Sequence, residues 1–180
     1  MTIESLLRKY RIIILLVSFS ILISCGDDDD DNNDEPAEPT SEFEIEYPDS
    51  WEISENPSPL VLIAGFSPIE SSADDFVESL NLVRESAPGL NLDTYVEASK
   101  TALGIFQDFE IISEGDIEIN SRQGYEIIYR INFDGVVLQS LVHIYYENDN
   151  GYVLTAAATE GSFDRFESLF RTILETFRLN

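Results

Sequence analysis

The 180-residue sequence has one cysteine, one histidine and only ten basic residues against 35 acidic ones. A single cysteine excludes an internal disulfide, and one cysteine with one histidine cannot supply the three or four ligands of a zinc centre. Any Ser-His-Asp arrangement must use His143, and no Gly-x-Ser-x-Gly stretch accompanies it. The shortage of bases leaves a formal charge of −25. Such a surface repels phosphate backbones, which proteins bind by replacing counterions with Lys and Arg, so nucleic acid is excluded as a partner. It also repels anionic lipid headgroups, so attachment to a membrane needs a covalent or hydrophobic anchor. The length suits one domain large enough to bury a core without staples.

The chain also lacks a hydrophobic run long enough for a permanent span. Ile12 to Ile23 is largely apolar, yet it falls short of the roughly 20 residues a membrane-crossing helix requires. With Arg8, Lys9 and Arg11 before it and the small Ser24 after it, residues 1–24 read as an export signal. Leu22, Ile23, Ser24 and Cys25 resemble the bacterial lipobox, in which cleavage follows the residue at Ser24 and the cysteine becomes the lipidated first residue. Cys25 is thus the expected point of membrane attachment through acyl groups such as palmitate. Removing residues 1–24, which carry three of the ten bases and one of the 35 acids, leaves a charge of −27.

Residues 25–42 follow with nine acids, no base and two prolines, Pro36 and Pro39. Little apolar surface is available to offset ordering entropy, so the segment is expected to be an extended acidic tether. An EF-hand reading starting at Asp29 fails, because the positions requiring Gly and Glu hold Asp34 and Thr40. Looser divalent binding by Asp27 to Asp31 remains as an alternative. Acidic residues just after such a cysteine also resemble the signal that some Gram-negative groups use to send lipoproteins to the cell surface.

From Phe43 to Asn180 the composition turns to aromatic and β-branched residues. Tyr125, Ile127, Tyr129, Ile131 and Phe133 alternate with Glu126, Ile128, Arg130 and Asn132, the period of a half-buried strand. Asp134-Gly135 predicts a hairpin turn into Val136–Tyr146, and Asn150-Gly151 predicts a second before Tyr152–Ala158. Shorter strands are expected at Phe43–Tyr47, Leu60–Phe66, Leu80–Arg84 and Phe109–Ile112, with Asp116–Ile119 pairing with Tyr125 onward. Helical spacing links Leu92, Tyr95, Val96, Ser99, Leu103 and Phe106, with Asp93 placed to cap or favour its first turn. It also links Phe163, Phe166, Phe170, Ile173 and Phe177, with Ser162 as a candidate cap and Glu167 and Arg171 as an i, i+4 pair. The expected class is α+β, an antiparallel sheet of about six or more strands with helices on its faces.

The stretches YPDSW, DDFVESLNLVRES, LNLDTYVEASKTAL and FESLFRTILETFRL, in this order around the hairpins, resemble the PsbP-like family. That family includes the photosystem II extrinsic protein and bacterial envelope lipoproteins. The resemblance spans nearly all of residues 43–180 and implies an α/β/α sandwich. Better-known members dock on other proteins, many of the bacterial lipoproteins have no assigned activity, and no family-wide catalytic motif maps onto this chain. A photosynthetic role is not implied.

Candidate chemistry is sparse. His143 shares a strand face with Val137, Gln139, Leu141 and Tyr145, while Ser140 points to the other face, so the two cannot pair within the strand. Asp116 with Glu118, or Glu118 across a hairpin from Glu126, are carboxylate pairs whose acid/base use would require environments that separate their pKa values. Trp51, in an alternating stretch with Ile53, reads as a core aromatic rather than an exposed recognition residue, and Ala156 to Ala158 would let a helix approach the sheet. No residue is assigned a catalytic or metal-binding role, and no cofactor is implied. The expectation is a lipoprotein of the cell envelope, at the outer membrane and exposed on the surface. It would be a non-enzymatic module for an envelope protein or glycan-like partner. The alternatives are an envelope hydrolase with a site assembled from distant residues and a calcium-dependent binder using the tether.

Overall fold

A computed structural model describes residues 42–71 and 76–180. Strands are β1 (Phe43–Glu44), β2 (Glu52–Glu55), β3 (Val61–Phe66), β4 (Ser79–Ser86), β5 (Glu110–Ile119), β6 (Arg122–Phe133), β7 (Val136–Glu147), β8 (Asn150–Thr159) and β9 (Arg178–Leu179). Helix α1 spans Leu92–Leu103 and α2 spans Glu160–Glu175. Seven strands form one sheet in the order β2-β3-β4-β8-β7-β6-β5, while β1 and β9 form a separate pair. All neighbours are antiparallel. This is the expected α+β class.

The helices cover opposite faces of the large sheet. Tyr95, Val96 and Leu103 of α1 join Ile127, Tyr129, Ile131, Val142 and Val153 in one core. Phe163, Phe166, Phe170, Ile173 and Leu174 of α2 join Leu80, Ile128, Leu141, Tyr145 and Leu154 in the other. The central strands are therefore apolar on both faces, and burial of these side chains is the main force holding the sandwich together. Trp51 lies in the α2-side core at 7% exposure, edge-on to Phe170 at 6.5 Å between ring centroids. Ala156 and Ala158 are fully buried in that core, where their size lets α2 sit close to β8.

Several local details differ from the sequence expectations. The β7–β8 turn is Asn148-Asp149, both with positive φ, whereas Asn150 and Gly151 already pair with Glu147 and Tyr146. Gly151 instead serves close packing, because a Cβ there would collide with the Tyr95 ring. The Asp134-Gly135 turn forms as expected, with φ of 50° and 86°. Asn91 caps α1, accepting from Thr94 N at 2.9 Å, while Thr94 Oγ1 accepts from Asn91 N at 2.9 Å; Asp93 is not the cap but lies in the first turn, where an acid is favourable. Helix α2 begins two residues before Ser162, whose hydroxyl bonds Thr159 and Glu78. Phe106 and Phe177 fall beyond the helix ends. β5 is one continuous ten-residue strand rather than two short ones.

Candidate functional site

His143 is 2% exposed and stands opposite Glu126 in the β6–β7 register. Its Nε2 lies 3.0 Å from Glu126 Oε2, and its Nδ1 lies 3.4 Å from the Tyr145 hydroxyl. A neutral ring with its proton on Nε2 satisfies both, donating to the carboxylate and accepting from Tyr145. Arg171 reaches down from α2 and grips both oxygens of Glu126, at 2.7 and 3.2 Å, while its Nε donates to Glu167 at 2.9 Å. The expected i, i+4 pair thus exists as part of a larger network. Glu126 is held well below the ordinary carboxylate range, at about 2, chiefly by the His143 hydrogen bond and then by Arg171, against the opposing effect of burial. Both ring nitrogens are occupied, and Ser140 lies on the α1 face among Leu138 and Val142. The arrangement binds α2 to the sheet.

Of the two carboxylate pairs, the structure separates one and keeps the other on a single face. Glu118 is opposite Gln123, and Glu126 is opposite Gly115 and His143, so these two acids do not meet across the hairpin. Asp116 and Glu118 share one face of β5 and are exposed. Ser24, Cys25 and the Asp27–Asp31 run lie outside the described residues.

Sequence reasoning missed two features. The first is a row of buried polar side chains on the α1 face: Ser79, Asn81, Tyr129, Ser140 and Thr155, all at most 3% exposed. Ser79 Oγ, Asn81 Oδ1, Tyr129 OH, Ser140 Oγ and Thr155 Oγ1 lack hydrogen-bond partners among the described residues. Ser140 stands opposite Tyr129 and slightly offsets the burial that pushes the phenol up to about 12, yet neither hydroxyl reaches the other with hydrogen-bond geometry. Nothing in their spacing marks them apart from residues facing solvent. The second is a buried acid, Glu78, satisfied by Ser67 at 2.9 Å and Ser162 at 3.1 Å.

The large sheet ends at β2 and β5, and β5 is the longer of these two edge strands. Asn120 and Ser121, with φ of 53° and 62°, form a two-residue turn closed by the Ile119–Arg122 pair. In such a hairpin the closing residues exchange both backbone bonds, and bonded and non-bonded pairs then alternate. Ile119, Ile117 and Gly115 accordingly face β6. Glu118, Asp116 and Glu114 turn their N–H and C=O groups outward. A bulge between Ile111 and Ser113 ends the regular edge, leaving Ile112 half exposed.

Solved structures share this architecture. The cyanobacterial PsbP (CyanoP) of Synechocystis sp. PCC 6803 aligns over 88% of this chain and 99% of its own, at 18% identity and a TM-score of 0.56. The fold is PsbP-like. LpqN of Mycobacterium tuberculosis, a protein involved in cell envelope biogenesis, aligns over 77% of this chain and 83% of its own at 9% identity and a TM-score of 0.59. PA94 of Pseudomonas aeruginosa, a protein of unknown function, aligns over 73% and 88% at 18% identity and a TM-score of 0.57. At these identities the likeness establishes the PsbP-like fold and leaves chemistry to be argued from the chain itself. No protein-family model and no curated protein matches the sequence.

Proposed function

We propose that the chain is a lipoprotein of the cell envelope, anchored through Cys25 and displayed at the outer-membrane surface on its acidic tether. Its PsbP-like domain acts as a non-enzymatic binding module for another envelope component. The observation that carries this reading is the contrast between His143, whose ring nitrogens are spent on Glu126 and Tyr145, and β5, whose outer backbone groups pair with no strand among the described residues. The only imidazole is committed to holding the sandwich together, whereas the regular edge of β5 from Ser113 to Ile119 stands ready to bind. The Leu22–Cys25 stretch and the tether supply the anchor and the reach. LpqN adds support for an envelope setting, since a protein of the same fold works in envelope biogenesis.

The test is crosslinking on intact cells with a reagent that cannot cross the outer membrane, comparing the native chain with Cys25→Ala. Capture of a defined envelope partner by the native chain alone is the expected result. Turnover of a substrate by the purified protein, abolished by His143→Ala or by one carboxylate substitution, would overturn the reading in favour of a hydrolase.

A further inference from the structure

We propose that the outer edge of β5 binds an extended basic segment of a partner protein, which adds to the sheet as an antiparallel strand with Lys or Arg at every second position. The inference rests on the reading of the domain as a binding module and assigns that module its surface and partner chemistry.

The register fixes the geometry. Glu114, Asp116 and Glu118 stand opposite Ile127, Tyr125 and Gln123, at the pairs whose backbone groups are not spent on β6. An added antiparallel strand would exchange paired backbone bonds with these three residues. Its side chains opposite them would stand on the same face, about 5 Å away. All three positions are acidic, and β5 contains four acids and no base. Glu114 is partly neutralised by Lys100, but Asp116 and Glu118 have no ion-pair partner among the described residues. Bases at three alternate positions of the incoming strand would therefore meet three acids in register.

The other face of β5 defines the intervening residues. Ile117 packs against the α2-side core, and Gly115 has open space where a side chain would stand. An incoming strand can lay a β-branched residue over Gly115 and against Ile117. The bulge between Ile111 and Ser113 limits pairing to the segment from Ser113 to Ile119. A second copy of this chain is the poorer occupant, because β5 paired with β5 sets acids against acids.

The probe is the peptide Lys-Val-Lys-Thr-Lys-Val-Lys, compared with an isomer of the same composition whose four lysines are contiguous. The full chain in detergent is titrated with each, and backbone amide exchange is followed residue by residue. Expected is at least tenfold tighter binding of the alternating peptide, with exchange slowed at Glu114, Asp116 and Glu118. Asp116→Pro removes an outward donor while sparing the bonds to β6, and it should abolish the preference with the circular dichroism spectrum retained. Should that variant unfold, Asp116→Lys with Glu118→Lys keeps the backbone and should reverse the preference toward a peptide with glutamates at the alternate positions. Equal binding of the two lysine peptides, slowed exchange elsewhere, or dimerisation through β5 without peptide would overturn the proposal. Surface crosslinking separates the two readings: a partner captured equally by the native chain and Asp116→Pro refutes the edge but preserves the module, and no partner with either refutes the module.

Discussion

Glu126 on β6 and His143 on β7 face one another at 3.0 Å beneath α2, and Arg171 closes the carboxylate from above. One carboxylate thereby ties two strands to a helix whose arginine lies 45 residues away in the chain. Most of its hydrogen-bonding capacity is used, which is the condition under which a partly buried charge contributes to stability rather than detracting from it.

Glu126 should make the fold acid-sensitive. Its folded-state pKa, about 2, lies below the ordinary 4.5, so the ionised group stabilises the fold at neutral pH. That contribution disappears as pH falls from about 4.5 towards about 2. Thermal melts across this window should show a steeper loss of Tm for the native chain than for Glu126→Gln, which cannot titrate. Parallel curves would contradict the assignment.

Removing the arginine should cost more than removing the pair. Arg171→Met leaves Glu126 without its cation and should lower stability by about 2 kcal/mol, as expected for a partly buried charged acceptor deprived of its donor. The double variant with Glu126→Gln should lose less than Arg171→Met alone when the two are compared by urea denaturation.

Thr155→Val should have the opposite effect. The hydroxyl of Thr155 is buried without a partner among the described residues, and valine has the same shape. Replacing an unpaired buried polar group by an apolar isostere should raise stability by about 1 kcal/mol. A fall would mean that the hydroxyl has a partner in solution.

Asn91→Ala should weaken the start of α1. The capping box between Asn91 and Thr94 satisfies two otherwise unpaired backbone donors, and its loss should cost about 1 kcal/mol. Amide exchange in the first turn of α1 should accelerate, while exchange in α2 stays unchanged.

The parts of the fold legible in the sequence were those with a sustained period. β6 was readable because Tyr125 to Phe133 alternate without a break, and both helices because their aromatic and aliphatic residues recur every three or four positions. β5 reads as two pieces in the sequence because Ser113 to Gly115 interrupt its apolar positions on an edge where most side chains are exposed. β2 and β9 are too short to establish a period. The Asn150-Gly151 signal misled because the glycine is required by the Tyr95 ring above it, a contact 56 positions apart in sequence that no local pattern contains. The same limit hid the Glu126–Arg171 bond and the buried polar row. Serines and threonines on a strand resemble a solvated face until the helix covering them is known. The outward acids of β5 were visible as charges, but their significance came from the order of the strands.

The account depends most directly on Cys25, where the chain is proposed to enter the membrane. Mass spectrometry of the N-terminal peptide, taken from protein extracted from the envelope of cells that make it, tests that point. The predicted result is a chain beginning at Cys25 with acyl chains on that residue, and no modified N-terminus in Cys25→Ala. A chain that retains residues 1–24, or one in which Cys25 is present and unmodified, would contradict it.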